Sequence, residues 1–81
     1  MENRTERLRA AFAATIRAEV AAKGYNAKAF AKRAGIPNST MGTYLNGTAD
    51  IKMPAFYAIA DALEIAPKDL WTLAEARMGD L

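Results

Sequence analysis

The chain has 81 residues, 11 Lys/Arg against 9 Asp/Glu, and a hydrophobic fraction of 52%. That suits one small domain with one core, not two, and it is too apolar for a disordered chain. There is no cysteine and no histidine, so disulfides and thiolate chemistry are excluded, and the commonest metal ligand and general base are missing.

The opening MENRTERLR is charged and leads into no continuous apolar stretch, so it does not read as a secretory signal. No apolar run is long enough to span a membrane. A soluble, cytoplasmic protein without a membrane partner is the expectation. The charge is uneven: residues 1–50 hold eight Lys/Arg and four Asp/Glu, a net of +4, whereas residues 51–81 hold three and five, a net of −2. One end could face a polyanion, although an unevenly charged solvated surface explains the same numbers.

Leu8, Phe12, Ile16 and Val20 recur every fourth residue and predict a first helix from about Thr5 to Lys23, closed by Gly24. Asn26 is a good N-cap for a second, two-turn helix, AKAFAKRA. That helix buries Phe30, Ala31 and Ala34, exposes Lys28, Lys32 and Arg33, and stops at Gly35. After Pro37, a third helix spans Asn38 to Asn46, with Met41, Tyr44 and Leu45 at helical spacing and Gly47 as its end. A loop covers Thr48 to Met53. Pro54 starts a fourth helix with Phe56, Ile59, Ala60 and Leu63 inward. Pro67 starts a fifth, with Leu70, Leu73 and Ala74 on one face. The fold class is all-α: five helices in one unit covering residues 1–81.

The third helix is oddly made. Its outward face holds Asn38, Ser39, Gly42, Thr43 and Asn46, with none of the Lys, Glu, Gln or Ala that a merely solvated helix uses. Gly42 costs roughly 1 kcal/mol against Ala. Short polar groups and a glycine suit a surface that something large approaches closely. Asn and Ser can hydrogen-bond base edges, and Thr can offer a methyl to thymine or a hydroxyl to phosphate. A weak helix held by tertiary contacts is the bland explanation of the same residues.

The run FAKRAGIPNSTMGTYLNG, followed by PAFYAIADALEI, resembles the helix-turn-helix domain of the lambda-repressor and Cro family, also called the XRE family. Ala31 stands at the family's small residue in the first motif helix, Gly35 at its turn glycine, and Ile36 and Met41 at its core apolar positions. The motif covers about residues 26–46. There are departures. Ala27 stands where the family often places a Gln that braces a phosphate. Val20 and Leu45 stand where many members bury an Arg–Glu pair. Both partners are apolar together, which avoids stranding one buried charge at roughly 3–5 kcal/mol, so Val20 and Leu45 are expected to touch.

The resemblance implies sequence-specific binding of a double-stranded DNA operator by a transcriptional regulator, a repressor of phage or mobile-element type. The third helix would enter the major groove by its N-terminal end. Asn38, Ser39, Gly42 and Thr43 would face bases. Asn26, Lys28, Thr40, Asn46, Thr48 and Lys52 would meet phosphates. Lys32 and Arg33 are read as solvated surface, and Arg4, Arg7 and Arg9 as pairing with Glu2 and Glu6 in preference to reaching DNA. A homodimer is implied, with Trp71, Met78 and Leu81 as candidate contacts; Trp71 is equally well placed to cap the core. No enzyme, cofactor, metal or small-molecule substrate is expected, nor any concavity holding two titratable groups. The alternative is an antitoxin or protein-interaction module on the same fold. Both a complete small regulator and the N-terminal part of a longer one fit the sequence.

Overall fold

The computed structural model describes residues 3–79. It contains α1 (Arg4–Ala22), α2 (Ala27–Ala34), α3 (Asn38–Asn46), α4 (Met53–Leu63) and α5 (Pro67–Gly79), with no strand among the described residues. The predicted elements are all present, with boundaries moved by one or two residues. Two N-caps follow from asparagine chemistry. The Asn26 side chain accepts from the Ala29 N–H at 2.7 Å, as anticipated, and Asn3 accepts from the Glu6 N–H at 2.8 Å.

The helices close on one apolar cluster. Phe12, Ile16 and Val20 of α1 meet Phe30 and Ala31 of α2, Met41, Tyr44 and Leu45 of α3, Phe56, Ile59 and Leu63 of α4, and Leu70 and Ala74 of α5. Phe12, Phe56 and Trp71 form an edge-to-face triad, with ring centroids 4.9 to 6.1 Å apart. Val20 and Leu45 lie in the same cluster, both buried. The end of α1 is also tied to α3 by Arg17, which donates to the Leu45 carbonyl. Apolar side chains at both positions leave no buried charge of their own to satisfy.

Two readings are corrected. Leu73 is 44% exposed rather than inward, because α5 turns Leu70 and Ala74 against α1 and carries Leu73 off that stripe. The arginines of α1 do not pair with Glu6. Arg9 binds Asp50 at 2.9 Å, joining α1 to the α3–α4 loop, and Arg7 donates to the Met78 carbonyl at 3.4 Å. Glu2 lies outside the described residues.

Candidate nucleic-acid interface

Helix α3 is held by one face only. Met41 is fully buried, and burying such a side chain is worth about 1.5–3 kcal/mol. Tyr44 and Leu45 lie alongside it in the cluster. These three anchors explain why poor helix formers are helical here: tertiary burial overrides propensity. The ends are set by backbone chemistry. At the turn before α3, Gly35 has φ +72°, and its N–H and that of Ile36 close α2 on the carbonyls of Lys32 and Ala31. At the far end, Gly47 has φ +73°, so glycine serves the turn; a Cβ there would stand in ordinary contact with the Ala13 Cβ of α1 at 3.4 Å.

The opposite face is free. Asn38, Ser39 and Asn46 are exposed, and their side chains make no hydrogen bond among the described residues. Gly42 is helical, and a Cβ added to it meets no atom within 4 Å. Nothing inside the protein therefore requires glycine at this position. Thr43 is half-buried and donates its hydroxyl to the Thr40 carbonyl at 2.7 Å. That uses the hydroxyl proton within the helix and leaves the methyl and the oxygen lone pairs. Thr40 is half-buried.

Some of the flanking groups adjoin this face. Pro37 caps α3 without a side-chain hydrogen bond, so the first N–H groups of the helix keep their donor capacity and partial positive charge. Lys52 stands at the N-cap of α4, again with no side-chain cap. A shallow cleft of about 450 Å³ between the starts of α2 and α3 is lined by Asn26, Lys28, Lys32 and Asn38. Lys32, read from the sequence as plain surface, is thus a neighbour of Lys28 and Asn38. Helical spacing between Lys28 and Lys32 was the available signal. Asn26 has its carbonyl oxygen committed as a cap, leaving its amide nitrogen. The exposed Thr48 donates its hydroxyl to the Thr43 carbonyl at 3.3 Å. Asn46 closes α3 and Thr48 follows it, at the opposite end of the helix from Asn38.

Arg33 turns away. It donates to the Ala62 carbonyl at 2.9 Å, reaches Glu64 at 3.3 Å, and lies 5.4 Å from the centre of the Tyr25 ring. It braces α2 against α4 while remaining exposed. Trp71 is 40% exposed, with one side of its ring packed on Phe12 and Phe56, so it caps the core as one of its two readings had it. Met78 is half-buried, and Leu81 lies outside the described residues. The expectation that no concavity holds two titratable groups fails, since Arg9, Asp50 and Tyr44 line one groove. No helix among the described residues is long and apolar enough to cross a membrane.

Comparisons with curated proteins and with solved structures give no match. A family model for the Cro/C1-type helix-turn-helix DNA-binding domain matches residues 15–75. The matched span contains α2, the Gly35 turn, α3 and α4 whole, together with the C-terminal part of α1 and the N-terminal part of α5. With three quarters of its length under that model and its helices arranged as the motif requires, the chain belongs to the family of Cro/C1-type helix-turn-helix DNA-binding domains.

Proposed function

We propose that the chain is a sequence-specific regulator of transcription, a repressor of phage or mobile-element type, that reads the DNA major groove with α3 and works as a two-fold dimer. The observation that carries this reading is the outward face of α3: small, neutral and uncommitted, with Gly42 before open space. Asn38 and Ser39 lead into the groove, Gly42 allows the backbone close to the bases, and the Thr43 methyl suits a thymine. Lys28, Asn26, Thr40, Asn46, Thr48 and Lys52, with the N–H groups opening α3 and α4, hold the phosphates. An 81-residue chain acts as one domain in this reading. Two copies would set two recognition helices about one turn of the duplex apart. The exposed Leu73 on α5 supports that helix as the pairing element.

The test is selection from a random duplex pool, followed by Asn38→Ala and Lys52→Ala on the recovered site. Asn38→Ala should relax base choice at one position by about 1–3 kcal/mol. Lys52→Ala should weaken all duplexes alike. Recovery of no preferred sequence, with binding to a protein partner instead, would favour the interaction-module reading.

A further inference from the structure

Between the start of α1, the α3–α4 loop and α5 lies a half-open groove of about 340 Å³. Its walls are Leu8, Phe12, Phe56, Trp71 and Ile51, and its polar groups include Arg9, Asp50 and Tyr44. Tyr44 is 6% exposed, and its hydroxyl has no hydrogen-bond partner among the described residues. No buried polar side-chain atom is left unsatisfied, so this hydroxyl is not sealed off. A largely buried residue on the groove wall thus keeps an accessible, unused donor. Arg9 binds Asp50 through Nε alone, which leaves its terminal Nη groups without a protein partner among the described residues. An apolar trough of ligand size with a few polar groups in its lining is the usual make-up of a small-molecule site.

We propose that this groove binds a small apolar carboxylate, with its hydrocarbon body against Phe12, Phe56 and Trp71 and its carboxylate between Tyr44 and Arg9. The unused donors select an acceptor: they are the Tyr44 phenol and the Arg9 Nη groups, and the one acid in the lining, Asp50, engages Arg9 through Nε. A carboxylate on the Arg9 Nη groups shares the guanidinium charge with Asp50 and weakens that ion pair. It thereby loosens the loop that carries Thr48 and Lys52, and so weakens the hold on DNA. This last step rests on the function proposed above; the binding itself does not.

Trp71 is the chain's one tryptophan, so its emission reports on the groove directly. Hexanoate titrated at constant ionic strength should shift Trp71 emission to shorter wavelength, saturably, with a Kd on the order of 1 mM, as suits so small a molecule. Hexan-1-ol, with the same body and no charge, should bind about tenfold more weakly, and Tyr44→Phe and Arg9→Gln should each weaken hexanoate by about tenfold. The absence of a saturable shift, or equal binding of the acid and the alcohol, overturns the proposal. So does an emission shift on diluting the protein without ligand, which would mean that a second copy already covers the groove. If either variant fails to fold, the comparison of acid and alcohol on the unaltered chain decides alone. On the duplex recovered by selection, saturating hexanoate should lower affinity several-fold. Unchanged affinity with the groove filled overturns the coupling, whereas failure to recover any duplex counts against the DNA reading and leaves the emission result standing.

Discussion

Gly42 separates what the fold needs from what an outside partner needs. It has no positive φ and no crowding neighbour, so alanine fits without strain. Gly42→Ala should raise stability by about 0.5–1 kcal/mol in chemical denaturation, because the unfolded chain loses freedom and the helix gains a better former. The same methyl would stand on the surface assigned to the bases, so duplex affinity should fall while the fold improves. A variant that gains stability and binds as well as before would remove Gly42 from the contact surface. This residue was legible in the sequence as an anomaly, since a glycine inside a helix costs energy whatever surrounds it. The engagement of Thr43 with Thr40 was not legible, because a threonine hydroxyl can turn inward or outward on one and the same backbone.

Among the elements, α2 and α3 end on glycines at φ +72° and +73°, whereas α4 ends on Glu64 at φ +59°. The N–H groups of Glu64 and Ile65 still close the helix on the Asp61 and Ala60 carbonyls. The backbone therefore adopts a glycine-type end without a glycine. A left-handed non-glycine residue costs roughly 1–2 kcal/mol, and the exposed ion pair with Arg33 at 3.3 Å offsets little of it. Glu64→Gly should therefore raise the thermal midpoint, by an amount worth about 1 kcal/mol; a lower midpoint would mean that the Arg33 contact outweighs the strain. The helices themselves were readable because apolar spacing, Asn26, Gly35 and Gly47 agree with one another. The end of α4 lacked that agreement. The fifth helix misled at Leu73 because Leu70, Leu73 and Ala74 share one face on a wheel, and only the position of α1 decides which part of that face is covered.

At the scale of the whole molecule, pairing and charge remain to be tested. Leu73→Asp should leave the fold intact, the side chain being exposed, and should lower the sedimentation-derived mass from dimer to monomer. A dimer that survives the substitution would move the pairing surface elsewhere. The arginines matter as much as the lysines here. Arg17 and Arg33 hold the carbonyls at the ends of α3 and α4, Arg9 holds Asp50, and Arg77 donates to the buried Thr15 hydroxyl at 3.1 Å. Only Arg9 and Arg33 of these are paired with an acid, but all four spend donors inside the protein, which no reading of composition could foresee. Lys28, Lys32 and Lys52 are what the proposed face retains, so two chains should give a log–log salt slope of about −5. A slope near −10 would mean that these arginines leave their internal partners on binding. With several guanidinium groups tied back to the protein's own carbonyls and carboxylates, such a protein would cling little to random sequence. It would leave wrong sites quickly, and would owe its residence time on the right one to the fit of α3 more than to attraction at a distance.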